Sequence, residues 1–134
     1  MIDVENELFT EVYNEVIKEY PDIYMTGEYE LAQSEFPCLY FMELDNSVRK
    51  ATITSSKMEN FADVMYEATA YSNKITDKKS ECKAILQIVD RVMSRRGLRR
   101  TMKQIVPNML DSTVCRMVAR YEGTVSEDKV FYRR

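Results

Sequence analysis

The chain has 134 residues, the size of one ordinary domain, and is 45% hydrophobic and 31% charged with a net charge of −3. This composition excludes fibrous and disordered classes, and no stretch approaches the roughly eighteen apolar residues of a membrane span. The acidic N-terminus, with Asp3, Glu5 and Glu7, excludes a signal or transit peptide, so we expect the protein to remain where it is made.

The first half of the chain predicts one helix and three strands. Apolar residues at helical spacing predict a helix over residues 3–20, with Asp3 as a cap and Pro21 as the stop. Residues 23–25 and 36–44 read as strands, and the unbroken apolar run of the second predicts a strand covered on both faces. Residues 45–60 are polar and barely periodic, so we expect a projecting arm or hairpin there.

The next strand and helix carry the clearest patterns in the chain. Residues 61–72 alternate, with Ala62, Val64 and Tyr66 on one face, which predicts a strand. Asp77 begins a second predicted helix that ends near residue 96, where two arginines precede Gly97 as expected at a helix C-terminus.

The remaining chain predicts two strands, at 98–106 and 113–125, with the second kinked or ended near Gly123. Residues 126–134 read as a charged tail. The expected fold is α+β, a single domain over residues 1–125 with a mostly antiparallel sheet packed against two helices in the order α-β-β-β-α-β-β.

The residue inventory argues against catalysis and against a bound cofactor or metal. The chain has no histidine, which removes histidine-activated nucleophiles and the commonest metal ligand. Cys38, Cys82 and Cys115 are isolated among apolar residues and are expected to be buried and unpaired. The glycine-rich phosphate-binding motifs are missing. We therefore expect a protein that binds other proteins and is not an enzyme.

Charge is distributed very unevenly along the sequence. Residues 1–67 carry 15 acidic and 4 basic side chains, whereas residues 68–134 carry 7 acidic and 15 basic ones. This polarity suits head-to-tail contact between copies of the chain. The alternative is that the two halves interleave in the fold and neutralise each other locally.

Two basic groups stand out as candidate interaction surfaces. Arg116 and Arg120 lie four residues apart in a predicted strand and share a face with Val114 and Val118, an arrangement that fits a carboxylate-bearing partner or an ordinary solvent-facing strand. A denser basic cluster fits a phosphate-binding patch, a solvated face or a subunit contact, and comprises Arg91, Arg95, Arg96, Arg99, Arg100 and Lys103.

Several short motifs, in order, resemble the tail terminator (tail completion, or minor tail) proteins of long-tailed bacteriophages and prophages. The resemblance covers about residues 36–125, roughly two-thirds of the chain. The motifs are Phe36-Pro37-Cys38-Leu39-Tyr40-Phe41 with Glu43 and Asp45-Asn46, then Tyr71-Ser72-Asn73, Lys79, Gly97-Leu98-Arg99-Arg100, Asn108, Asp111-Ser112-Thr113, Arg116 and Arg120-Tyr121-Glu122-Gly123.

The resemblance implies a ring, expected to be hexameric, on the head-proximal end of the tail tube. Such a ring stops tube growth and joins the head. The implied partners are copies of the chain, the tail tube protein and the head–tail connector protein, with no membrane and no specific nucleic acid. The implied location is the virion tail, after assembly in the cytoplasm of a bacterial host.

The interface residues expected from these patterns are Glu43, Asp45, Asn46, Arg99, Arg100, Arg116 and Arg120. Arg116 and Arg120 are expected on one side of the subunit contact and the acidic segment around Glu43 and Asp45 on the other. Two other functions remain open. One is a head–tail connector or other neck-ring component, and the second is a small nucleic-acid-binding regulator.

Overall fold

The computed structural model describes residues 1–28, 30, 32–48, 61–107 and 111–132. The elements are α1 (Glu5–Val16), β1 (Tyr24–Thr26), β2 (Cys38–Val48), β3 (Phe61–Ser72), α2 (Lys78–Arg96), β4 (Arg99–Ile105), β5 (Cys115–Ser126) and β6 (Phe131–Tyr132). Neither helix has the length and apolar character needed to cross a bilayer, as judged over these residues.

One sheet organises the fold, with the strand order β1-β2-β3-β5-β4 and with β6 paired to β5. Only β1 and β2 run parallel; every other pairing between the described strands is antiparallel. The predicted α+β fold, with its mostly antiparallel sheet and two helices, is confirmed.

Both helices pack on the same face of this sheet. The alternating residues of β3 that the sequence placed together, from Ala62 to Ala70, are buried there with Leu8 and Val12 of α1. Phe41 of β2 stacks on Tyr66 of β3 with ring centroids 5.6 Å apart. We call this side the helix-covered face. The other side is called the open face because no described helix packs on it, although Cys38, Tyr40, Tyr71 and Val114 form a second buried cluster at one end of it.

The helix ends differ from the prediction in detail. The N-terminal helix ends at Val16, and the residues before Pro21 form a turn instead of a further helical turn. The Oδ1 atom of Asp3 accepts a hydrogen bond from the backbone N–H of Glu5 at 3.1 Å. Asp77 occupies the residue before α2, but its side chain makes no capping bond; Gly97 ends α2 with φ 98°, as expected for a C-terminal glycine.

Of the arm or hairpin predicted over residues 45–60, the first four residues belong to β2 instead. β2 runs on through Asp45 to Val48, and its backbone pairs with β3 as far as Val48 opposite Ala62. Side chains in this part of β2 are mostly exposed, so the ladder forms without the apolar alternation that marks a strand in sequence. Residues 49–60 lie outside the described residues.

The prediction of a charged tail over residues 126–134 is also wrong where the structure describes it. Phe131 and Tyr132 form β6, and Phe131 is buried in the main core. Gly123 neither ends nor interrupts β5, which continues to Ser126. A Cβ atom at Gly123 would lie 3.2 Å from the Cγ atom of Leu98 and 3.3 Å from the Cδ1 atom of Phe131, so the glycine makes room for both.

The two oppositely charged halves of the chain do interleave. Nη2 of Arg95 lies 3.0 Å from Oε1 of Glu11, and Nζ of Lys129 lies 2.6 Å from Oε1 of Glu7. Arg96 also pairs with Glu11, at 3.3 Å. The surface polarity that the sequence suggested is therefore reduced by ion pairs within the subunit.

Candidate subunit interface

The open face carries the two arginines that the sequence singled out. Residues paired across a sheet point to the same side, so the register of β3 and β5 places Arg116 beside Tyr71 and Arg120 beside Glu67. Val118 lies between the two arginines on the same face, as predicted, and is buried. No helix covers this face in the described part of the chain.

Arg120 already has a carboxylate partner within the subunit. Its Nε atom lies 2.8 Å from Oε2 of Glu67, on the neighbouring strand. Arg99 of β4 likewise pairs with Glu122 of β5 on the open face. An exposed pair of this kind contributes little to stability, about 0–1 kcal/mol. It does, however, leave both arginines less available to a partner.

Arg116 differs from the other basic residues of the open face. It is half-buried, its Nε atom is enclosed without a hydrogen-bond partner, and its side chain makes no ion pair with any described residue. A partly desolvated guanidinium without a carboxylate is unfavourable. Arg116 is therefore the predicted site residue best suited to receive a carboxylate from another molecule.

Four residues on the open face form one row across the sheet. Tyr24 of β1 pairs with Cys38 of β2, Cys38 with Tyr71 of β3, and Tyr71 with Arg116 of β5. At the β1 end, the hydroxyl of Tyr24 donates to Oε1 of Glu30 at 2.5 Å. Burial and, to a smaller extent, the nearby carboxylates of Glu30 and Glu35 raise the pKa of the Cys38 thiol to about 12. The row thus has carboxylates at its β1 end and a guanidinium near its β4 end.

The predicted acidic side of the contact is split between the two faces. A register shift between Glu43 and Asp45 places Glu43 opposite Tyr66 on the helix-covered face and Asp45 opposite Met65 on the open face. Oε1 of Glu43 accepts hydrogen bonds from the Tyr66 hydroxyl at 3.0 Å and from Nδ2 of Asn46 at 3.3 Å.

Asn46 and Glu43 instead hold the N-terminal segment against the sheet. Nδ2 of Asn46 donates to the carbonyl oxygen of Ile2 at 2.7 Å, and the backbone N–H of Glu43 donates to Oε2 of Glu5 at 2.7 Å. Burial raises the pKa of the Glu43 carboxyl, an effect that the hydrogen bonds from Tyr66 and Asn46 oppose. Of the three acidic-side residues, only Asp45 faces the open side.

Arg100 points to the opposite side of β4 from Arg99. It pairs with Tyr121 on the helix-covered face, and its Nη1 atom lies 3.0 Å from Oδ1 of Asp90 on α2. The same Asp90 oxygen accepts a hydrogen bond from the Tyr121 hydroxyl at 3.0 Å. Arg99 and Arg100 therefore do not act as one patch.

A cleft of about 620 Å³ lies at the end of the sheet remote from Arg116, and its lining comes both from the open face and from the C-terminal end of α2. Its lining includes the carboxylates of Asp45, Asp63 and Glu122, with Arg99 and Tyr132 beside them. Oδ1 of Asp63 accepts a hydrogen bond from Oγ1 of Thr124 at 2.7 Å. Three open-face carboxylates were not predicted from the sequence: Asp63, Glu67 and Glu122. The alternation of β3 already separated Asp63 and Glu67 from the apolar face.

Among the described residues, no group of three cysteine, aspartate or glutamate side chains is arranged to hold a metal ion. The thiols are free, with Cys38 and Cys82 buried and Cys115 half-buried.

A scan against protein-family models and a search of curated proteins both returned no match.

Proposed function

We propose that the protein is a structural subunit that assembles head to tail into a ring and closes the head-proximal end of a phage tail tube. The observation that carries this proposal is the open face of the sheet, where the half-buried Arg116 has no carboxylate partner within the described chain. The order of motifs from Phe36 to Gly123, which resembles that of tail terminator proteins, supports the choice of family. The charged side chains of the open face fit a role in subunit contact.

Two features favour this function over a nucleic-acid-binding regulator. The basic cluster does not form one free patch, because Arg95 and Arg96 pair with Glu11 of α1. Arg99 and Arg100 point to opposite faces, and each has a carboxylate partner. Fewer free cations mean fewer phosphate contacts and weaker affinity for DNA.

The connector alternative shares the ring but differs in what the ring joins. A terminator ring binds the end of a tail tube, whereas a connector ring belongs to the head side of the joint. The two functions are separated by adding the purified protein to polymerising tail tube protein. A terminator shortens the length distribution of the tubes, and a connector leaves it unchanged.

The ring itself is tested in solution with Arg116→Glu. Sedimentation and negative-stain microscopy should show rings for the wild-type protein and dispersed, folded subunits for the variant, because a like-charge contact costs several kcal/mol per interface. Arg91→Glu makes the same charge change on the exposed side of α2 and should leave the rings intact. A wild-type protein that is monomeric at every concentration and does not cap tubes would rule out the proposal.

A further inference from the structure

The two outer edges of the sheet are unpaired in the described part of the chain. β4 ends the sheet on one side and β1 on the other. Exposed strand edges present backbone N–H and C=O groups that a further strand can pair with. Each edge can therefore pair with a strand of another molecule.

The backbone groups of β4 identify the residues that face outward. The N–H of Val106 donates to the carbonyl oxygen of Arg116, so Val106 faces β5. Because successive residues of an antiparallel strand direct their groups to alternate sides, Ile105 and Lys103 face away from β5. Ile105 also has a side chain that is 48% exposed, on the helix-covered face opposite Met117.

The same reasoning applies to β1. The N–H of Tyr24 donates to the carbonyl oxygen of Pro37, so Tyr24 and Thr26 face β2. Met25 is then the β1 residue whose N–H and C=O point outward. Its side chain packs against the main core, which places it on the helix-covered face, like that of Ile105.

The charges of the two edges favour pairing of β4 with β1 of another copy over pairing of β4 with β4 of another copy. The β4 strand contains Arg99, Arg100 and Lys103 and no acidic residue, and Lys103 has no carboxylate partner among the described residues. The segment around β1, residues 19–30, contains four acidic residues and no basic one. Two β4 edges would oppose each other with like charges.

The strand directions and the outward-facing residues are both compatible with pairing of β4 with β1 of the next copy. In copies related by rotation about an axis parallel to the strands, β4 of one copy and β1 of the next run antiparallel. Pairing Ile105 with Met25 of the next copy joins outward-facing backbone groups and sets their two apolar side chains together. The same register places the next copy's Tyr24 opposite Val106, in the row that contains Arg116.

This register also supplies the carboxylate that Arg116 lacks. The next copy's Tyr24 would lie two strands from Arg116, about 10 Å on the open face, a span that an arginine and a glutamate side chain bridge together. Glu30 is bound to that tyrosine hydroxyl. Glu30 of the next copy and Arg116 therefore lie on the same face and in the same row, with opposite charges, without any change in the fold.

We propose that the β4 edge of one subunit pairs antiparallel with the β1 edge of the next, Ile105 opposite Met25, and that Arg116 binds the neighbour's Glu30. This rests on the proposed function, since it specifies the contact by which the ring closes. The contact is heterologous, with unlike surfaces meeting, and it repeats until the ring is complete.

Cysteine cross-linking tests the edge contact. In wild-type-like assemblies, oxidation of Met25→Cys/Ile105→Cys should give a ladder of covalent multimers, because paired strand residues lie within disulfide reach. Each single variant should give none above the background of the native cysteines. Met25→Cys/Lys103→Cys, shifted by two residues, should cross-link at least tenfold less. Cross-linking of Ile105→Cys alone would show β4 meeting β4 and would overturn the proposal.

Charge exchange tests the Arg116 contact. Glu30→Arg should restore part of the assembly lost in Arg116→Glu, whereas Glu28→Arg, a matched change nearby, should not. Rings in the wild type without Met25–Ile105 cross-links would refute the edge pairing and leave the proposed function intact. A wild-type protein that stays monomeric at every concentration and does not cap tubes would refute both.

Discussion

The three glycines of the chain should respond very differently to alanine, because each serves a different purpose in the fold. At Gly123 an added Cβ lies 3.2 Å from Leu98 and 3.3 Å from Phe131, closer than carbon atoms normally approach. At Gly27 the nearest atoms are 3.5 Å and 3.6 Å away, ordinary contact distances. Gly97 has a φ of 98°, a conformation that alanine adopts only with strain.

The expected free energies follow from these distances. Overpacking costs about 1–3 kcal/mol, and replacing glycine with alanine recovers about 0.4–1 kcal/mol by restricting the unfolded chain. Gly123→Ala should therefore lose about 0.5–2 kcal/mol. Gly97→Ala should lose about 0.5–1.5 kcal/mol, because the left-handed conformation costs a residue with a Cβ about 1–2 kcal/mol. Gly27→Ala should be neutral or more stable by up to about 1 kcal/mol.

Urea unfolding followed by far-ultraviolet circular dichroism measures all three variants, with the slope expected to stay constant. A double-mutant cycle identifies the cause at Gly123, since the loss should shrink when Phe131→Ala removes the ring that the new methyl group meets. If Gly123→Ala is as stable as Gly27→Ala, then close packing by Leu98 and Phe131 does not restrict residue 123 to glycine, and our account of how β6 packs is wrong.

Two further expectations concern ionisable groups. Burial raises the pKa of Glu43 in the folded state, so stability falls as pH rises from the unfolded pKa, about 4.3, through the higher folded value. Glu43→Gln should therefore be more stable than the wild type at pH 7 and lose that advantage at pH 4. Urea titrations at both pH values measure this, and an equal difference in unfolding free energy at pH 4 and pH 7 would contradict it. Burial also raises the pKa values of Cys38 and Cys82, so a thiol reagent at pH 8 should label only the half-buried Cys115 rapidly, and fast labelling of all three in the native protein would contradict the burial.

The sequence predicted the elements whose side chains repeat and missed those held by backbone pairing. β3 and α2 were correct because alternate or helical positions are buried in the same core. The end of β2 was missed because its exposed side chains show no such pattern, although its backbone pairs with β3. β6 has only two residues, with one buried, which is too short for any period to be visible.

The candidate site was predictable only within a single strand. Alternation alone placed Arg116 and Arg120 on one face of β5. The partner of Arg120 is Glu67, on a strand separated from β5 by α2 and β4, and the register between such distant strands leaves no local signal. The split between Glu43 and Asp45 depends on an irregularity of one residue, which reverses the side of every residue after it.

In the unfolded chain, negative and positive charges lie in separate blocks. The net charge is −11 over residues 1–67 and +8 over residues 68–134. The native ion pairs from Arg95 to Glu11, Arg120 to Glu67 and Lys129 to Glu7 all join one block to the other. Electrostatic attraction between the blocks acts over a distance of about 10 Å at 0.1 M salt. In the unfolded chain it favours contacts between the same two halves that are paired in the native structure. During synthesis the acidic block is completed first, and repulsion between its like charges opposes compaction of that segment until the basic block follows.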